Sequence, residues 1–95
     1  MNRTQIILEI RKRVRNGFVV YSEHLLDDKL NLLDLTVEDV NNVMFTGVIV
    51  EIQNNDERGA RYVILGNSLG SSEFEVVCRF IIEESVLLIT VYERY

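Results

Sequence analysis

His24 is the only histidine in the chain, and it lies in Ser22-Glu23-His24, where a β-prone run gives way to a helix-like pattern. Histidine is the one side chain whose unperturbed charge changes near neutral pH. Histidine-dependent acid–base chemistry in this protein would therefore use His24. A neutral ring could accept a proton from a substrate. In the alternative role, the ring holds the start of the helix against a sheet.

A second set of candidates comes from two predicted strands, residues 73–82 and 86–93. Glu75 and Arg79 alternate with apolar residues in the first, and Thr90 and Tyr92 do so in the second. All four share the outer sheet face if the core takes the intervening apolar residues of the last strand, Leu87, Ile89 and Val91. A register slip of one residue would reverse this assignment.

Such a face could bind an anion or a phosphodiester. Arg79 would stabilise negative charge, and Tyr92 would donate a hydrogen bond or stack on a base. The alternative is a solvent-facing sheet with cross-strand charge pairs, each contributing about 0.2–1 kcal/mol.

The charge is distributed unevenly along the chain. The net charge is −5, but residues 1–22 carry +4, residues 23–57 carry −8 and residues 58–95 carry −1. Overall acidity disfavours non-specific nucleic-acid binding, which needs local positive charge. The basic strip formed by Arg11, Lys12 and Arg15 is the exception. It is either a solvated helix face or a contact to phosphates or a partner.

Other site chemistries have little support in the sequence. Cys78 falls on the predicted core side of its strand, which indicates a buried thiol. One histidine and one distant cysteine cannot form a structural zinc site. Asp27, Asp28 and Asp34 are better explained as a solvated helix face than as a cation site. We therefore expect no metal and no cofactor.

Helical spacing dominates the first half of the chain. Ile6, Ile7, Ile10 and Val14 form one apolar face, which Gly17 ends. Ser22 can cap a second helix, whose apolar face comprises Leu25, Leu26, Leu30 and Leu33. Residues 36–39 resemble a capping box for a third helix that buries Val40, Val43 and Met44 and ends at Gly47.

After Gly47 the pattern has the period of two that is typical of strands. Four strands joined by turns at 54–59, 66–72 and 83–85 predict an antiparallel meander. Residues 18–21 either add an edge strand or form an extended link. We predict an α+β fold, with the N-terminal helices packed on one face of a four-stranded antiparallel sheet.

The chain length predicts a single domain over residues 1–95, mainly helical over 1–47 and stranded over 48–95. No apolar run approaches the roughly 20 residues that span a bilayer. The N-terminus lacks the pattern of a signal peptide, and a single cysteine cannot form an internal disulfide. These features predict a cytoplasmic protein without a membrane partner.

In four ordered pieces the chain resembles domain of unknown function 4258, a bacterial family related to RelE/BrnT-type toxins. The pieces are Ser22-Glu23-His24, Leu35-Thr36-Val37-Glu38-Asp39-Val40, Arg61-Tyr62-Val63-Ile64-Leu65-Gly66, and the closing hairpin, Glu75-Val76-Val77 with Ile89-Thr90-Val91-Tyr92-Glu93. They cover about residues 18–94.

This resemblance implies a RelE/BrnT-like fold and a metal-independent endoribonuclease that acts on mRNA as the toxin of a toxin–antitoxin pair. The antitoxin would be a zinc-finger or helix-turn-helix protein. His24, Arg79 and Tyr92 would be catalytic. RNA would be bound by Arg61 and by the basic strip.

The chain departs from the family pattern where His-x-x-x-Arg-Met-x-x-Arg-Gly is usual. Here Asp27, Asp28, Lys29 and Leu30 follow the histidine, with no arginine and one additional residue before Leu35. The loss of basic residues leaves a second hypothesis open. The protein would then be a non-catalytic interaction module, either a homodimer or an antitoxin-bound subunit.

Overall fold

A five-stranded sheet with helices on one face forms the fold. The computed structural model describes residues 1–54, 57–82 and 84–94. The helical elements are α1 (Arg3–Arg15), a π-helical segment (Leu25–Lys29), α2 (Leu30–Leu33) and α3 (Val37–Thr46). The strands are β1 (Val19–Tyr21), β2 (Val48–Gln53), β3 (Arg61–Asn67), β4 (Glu73–Ile81) and β5 (Ser85–Glu93).

The strand order is β1-β5-β4-β3-β2. β1 runs parallel to β5, and every other pair is antiparallel. The α+β class is confirmed, and β2–β5 form the predicted antiparallel meander, but the sheet has five strands and is mixed. Residues 19–21 add a fifth strand, and the helical segments between β1 and β2 let the chain return to the far edge of the sheet.

The first helix follows its sequence pattern closely. Asn2 caps it by accepting a hydrogen bond from Gln5 N. At the other end Phe18 N–H donates to Arg13 O and Gly17 N–H to Val14 O, a Schellman motif with Gly17 at φ 81°. The predicted apolar face is buried: Ile6, Ile7, Ile10 and Val14.

The second helical region starts with a π turn. Leu25 N–H donates to Ser22 Oγ (3.0 Å), which confirms the predicted cap. Leu30 N–H then donates to Leu25 O, an i to i+5 bond. A π turn holds one residue more than an α turn, yet Leu30 and Leu33 of the predicted apolar face still pack against the core. Leu25 is buried, whereas Leu26 is exposed.

The third helix packs directly on β3. Thr36 and Asp39 form the predicted capping box, Val40, Val43 and Met44 are buried, and the helix ends at Gly47. A Cβ added to Gly66 would collide with Val43 O and lie 2.9 Å from Gly47 Cα. Glycine is therefore needed at position 66 for the helix and strand to approach this closely.

A bulge in β5 decides which of its residues reach the core. Val77 pairs with Thr90 and Cys78 with Leu88, so Ile89 is the additional residue. Val86, Leu88 and Val91 are consequently buried in the core. The prediction that Leu87 and Ile89 join the core was wrong, because the bulge reverses the alternation.

A second bulge in β2 leaves Val50 unpaired, so that Ile49 is buried and Ile52 packs against the core. The buried core draws on α1, α3, the π segment and β2–β5 together. Residues 55–56 and 83, which belong to the predicted turns at 54–59 and 83–85, lie outside the described residues.

Candidate functional site

The sheet face opposite the helices carries the polar residues of β4 and β5. Glu75 lies opposite Tyr92, Val77 opposite Thr90, and Arg79 opposite Leu87. Residues that pair in this way share a face. Glu75, Arg79, Thr90 and Tyr92 therefore share one face of the sheet, as predicted, although Thr90 is buried.

Arg79 is nevertheless remote from Tyr92 on this surface. It lies four residues along β4 from the partner of Tyr92, about 13 Å at the usual rise per residue. Its Nη1 donates to Arg58 O at 3.5 Å. The face therefore has two separate polar ends.

At the Tyr92 end, a lysine from the helical layer reaches round the edge of β5. Lys29 Nζ lies 4.5 Å from the centroid of the Tyr92 ring, a cation–π contact. Across the strand pair, Arg94 Nη1 lies 3.6 Å from Glu75 Oε1. Tyr92 itself is 50% exposed, so its ring remains open to a ligand.

His24 lies on the same helical segment as Lys29. Its Nδ1 is 3.2 Å from Asp28 Oδ2, and 55% of its side chain is exposed. Asp28 directly precedes Lys29, so the imidazole–carboxylate pair and the lysine–tyrosine pair draw on the same helical segment. We call this group the edge cluster: His24, Asp28, Lys29, Glu75, Tyr92 and Arg94.

The alternative role of His24, holding the helix against the sheet, belongs instead to Ser22. Ser22 Oγ donates to Ile89 O at 2.6 Å while accepting from Leu25 N. This pair of bonds joins the helix start to the bulged residue of β5. The exposed imidazole is therefore free of that task.

Within the edge cluster, Asp28 can hold His24 in one tautomer. If Nδ1 carries the proton, it donates to the Asp28 carboxylate, and Nε2 is left as an acceptor facing outward. This is the arrangement in which a carboxylate orients a general base.

Two cations of this cluster were missed in the sequence. Lys29 follows two aspartates and is typical of a solvated acidic helix, whereas in the structure it lies in the π segment and contacts Tyr92. Arg94 follows the last predicted strand. Arg94 could have been found from its position two residues after Tyr92, because residues two apart in an extended chain lie on the same face.

The remaining predicted RNA-binding residues do not join the edge cluster. Arg11 is engaged at the end of α3, donating to Gly47 O (2.6 Å) and Met44 O (3.3 Å). Lys12 and Arg15 are exposed on α1. Arg61 lies opposite Gln53 at the start of β3, toward the Arg79 end.

Cys78 lies apart from any site. The thiol is fully buried, and burial raises its pKa to about 12, so it is inert as a nucleophile. Among the described residues, no three histidine, cysteine or carboxylate side chains gather as a metal site. No helix in the described ranges is long and apolar enough to cross a membrane.

The fold and this surface define a small α+β protein with a helical layer on one face of a mixed sheet and a polar cluster at the edge of the other. A family model described as Domain of unknown function (DUF4258) matches residues 21–93, which is 73 of the 95 residues. The chain belongs to this family. No curated protein and no solved structure matches it. The matched range contains every member of the edge cluster except Arg94.

Proposed function

We propose that this protein is a toxin-like endoribonuclease of a bacterial toxin–antitoxin pair, which cleaves mRNA without a metal ion. One observation carries the proposal. The His24–Asp28 pair and the Lys29–Tyr92 pair both involve the helical segment that follows β1, and the second pair joins this segment to β5. A base can take the proton of a 2′-hydroxyl, a cation can stabilise the charge that develops on the phosphate, and an aromatic ring can stack on a base of single-stranded RNA.

His24 would act as the general base. Its Nε2 takes the proton of a ribose 2′-hydroxyl, and the 2′-oxygen forms a bond to the adjacent phosphorus. The bond from phosphorus to the 5′-oxygen breaks, and that oxygen takes a proton from solvent. The products are a 2′,3′-cyclic phosphate and a 5′-hydroxyl. Asp28 holds the ring and stabilises the imidazolium that forms.

Lys29 would supply the positive charge in this step. The phosphorus centre gains negative charge as the bond forms, and an ammonium held at a fixed position stabilises it. Tyr92 can stack on a neighbouring base, because half of its surface is exposed. Arg94, paired with Glu75, would contact an adjacent phosphate.

A second candidate is a non-catalytic interaction module, either a homodimer or a subunit bound to an antitoxin of the zinc-finger or helix-turn-helix type. The charge of −8 over residues 23–57 favours it, because the edge cluster lies partly within this acidic segment. Acidic surroundings repel RNA and attract basic partners.

RNA cleavage by purified protein separates these candidates. We expect a 5′-labelled single-stranded RNA to be cut in the presence of EDTA, leaving 2′,3′-cyclic phosphate ends. RNA with 2′-deoxyribose at the cleaved position should stay intact. Induced expression should slow growth, and co-expression of the neighbouring gene product should restore it. Intact RNA and unchanged growth would favour the interaction module.

A further inference from the structure

Three arginines lie along one side of α1, and the proposed cleavage uses none of them. Arg3, Arg11 and Arg15 follow one another at steps of eight and four residues, which keeps them on one side of the helix. They span about 18 Å of its axis at the usual rise per residue. Arg3 Nη1 donates to Ile49 O at 3.1 Å, and Arg11 Nη2 donates to Gly47 O at 2.6 Å. Two of the three guanidinium groups are therefore held in place against the start of β2.

The positive charge of this side of α1 is not neutralised by neighbouring side chains. The acceptors of Arg3 and Arg11 are backbone carbonyls, which carry no net charge. Arg15 is exposed, and no carboxylate of the described residues forms an ion pair with any of the three arginines. The one carboxylate of α1, Glu9, pairs with Arg13 at 3.3 Å on the opposite side of the helix. This side is therefore positive, in a chain whose net charge is −5.

Exposed apolar side chains lie beside these arginines. Leu8 is 57% exposed and lies three residues before Arg11, so the two side chains are neighbours on α1. Phe45 is 38% exposed and follows Met44, whose carbonyl oxygen accepts from Arg11 Nε at 3.3 Å. Arginine beside exposed apolar surface is typical of the centre of a protein–protein interface. The α1 surface consists of three arginines and two apolar residues: Arg3, Leu8, Arg11, Arg15 and Phe45.

An acidic helix matches the α1 surface better than RNA does. Leu8 lies among the arginines and has no aromatic ring on which a base could stack. Residues 23–57 carry a charge of −8, which repels a long polyanion. A helix packed along α1 can present carboxylates at the same steps of four and eight residues, with an apolar stripe beside them, because both helices have the same repeat.

We infer that the α1 surface is a docking site for an acidic amphipathic helix of a partner protein. Its carboxylates pair with the three arginines, and its apolar stripe packs on Leu8 and Phe45. Charge complementarity identifies the occupant, because carboxylate–guanidinium pairs are strong and directional. The bonds that already hold Arg3 and Arg11 lower the entropy cost of fixing these side chains on binding. The inference does not depend on RNA cleavage, because none of these residues belongs to the edge cluster.

The test uses three fluorescein-labelled eighteen-residue peptides and the full chain. The first is an amphipathic helix with glutamates beside a leucine stripe, and the second has lysine in place of every glutamate. The third has the composition of the first, in an order that spreads the glutamates round the helix. Fluorescence anisotropy should show the first peptide binding about tenfold more tightly than either of the others, as expected for opposite charge in a matching pattern. In ¹⁵N NMR spectra, the amide signals of residues 8–15 and of Phe45 should shift most.

Two variants with matched controls locate the binding. Arg15→Glu and Leu8→Ser should each weaken the first peptide at least about fivefold, the effect of one interface residue of moderate importance. Lys12→Glu makes the same charge change on another side of α1, where Lys12 lines a small cavity with Glu84, and Leu32→Ser changes another exposed leucine. Both controls should alter affinity less than about twofold in 0.15 M salt, which screens distant charges. NMR dispersion confirms that each variant is folded.

Three outcomes would overturn the inference. These are equal affinity for the three peptides, no binding of the first peptide, and equal losses in the control variants. Displacement of the first peptide by oligouridine, with RNA binding that is lost in Arg15→Glu but kept in Lys29→Met, would assign the α1 surface to RNA instead.

Discussion

At the residue scale, Ser22 and His24 have different roles, although both lie at the start of the same helical segment. Ser22 anchors the helix start to Ile89 O, and His24 projects outward to pair with Asp28. A sequence cannot assign these tasks, because serine and histidine both suit a helix start. Which of the two side chains bonds to β5 depends on which one lies within hydrogen-bond distance of that strand.

Asp39 gives a pH-dependent contribution to stability at the same scale. Its carboxylate accepts from Thr36 N–H and Leu69 N–H, both at 3.0 Å. The hydrogen bond from the Thr36 backbone is the main reason why the pKa of Asp39 lies below its ordinary value of 3.8. A lowered pKa in the folded state stabilises the protein above the unfolded pKa, and this stabilisation is lost as pH falls through the folded value.

We therefore expect Asp39→Asn to reduce the pH dependence of stability between neutral pH and about pH 3. Urea unfolding at the two pH values measures the effect, and Glu38→Gln controls for removing a carboxylate from the same helical turn. An Asp39→Asn profile parallel to that of the unsubstituted protein would show that these hydrogen bonds do not stabilise the charged form.

At the scale of helices and strands, the sequence predicted correctly those features that depend on local sequence patterns. The end of α1 at Gly17, the capping box of α3, the buried faces of both helices and the core side of β4 all agree with the structure. One recurrent source of error is a single additional residue within an element. The π turn at 25–29 and the bulges at Val50 and Ile89 each insert one residue, and each changes the face that the following side chains occupy.

The contact between α3 and β3 gives the clearest prediction for an element. Gly66→Ala should destabilise the fold by about 1–3 kcal/mol, since the added methyl group would force α3 away from the strand. Chemical denaturation compares it with Gly70→Ala, where only Ser68 Oγ, at 3.8 Å, comes near the new Cβ. Equal stability of the two variants would contradict this packing.

At the scale of the whole molecule, the candidate site depends on topology that the sequence did not fix. The parallel pairing of β1 with β5 carries the following π segment along the β5 edge. That path brings Lys29 to Tyr92 and leaves Arg79 at the opposite end. The sequence identified His24 and Tyr92 as candidates, but nothing in it locates the cation beside them.

The same topology separates two positive regions on an acidic protein. Lys29 and Arg94 lie near one end of the open face, and Arg58 and Arg79 lie near the other. Because the net charge is −5, RNA binding has to depend on these local cations. A change at Lys29 should therefore affect RNA far more than a change at an exposed lysine elsewhere.

The most direct test is single-turnover cleavage of a 5′-labelled single-stranded RNA by four proteins: the unsubstituted chain, His24→Ala, Lys29→Met and Lys12→Met. We expect His24→Ala to slow cleavage by about 10²–10⁴-fold, the usual contribution of a general base. Lys29→Met should slow it by at least about tenfold through lost charge stabilisation. Lys12→Met should cleave normally. Cleavage by His24→Ala at the unsubstituted rate, or equal losses in the two lysine variants, would contradict the edge cluster as the catalytic site.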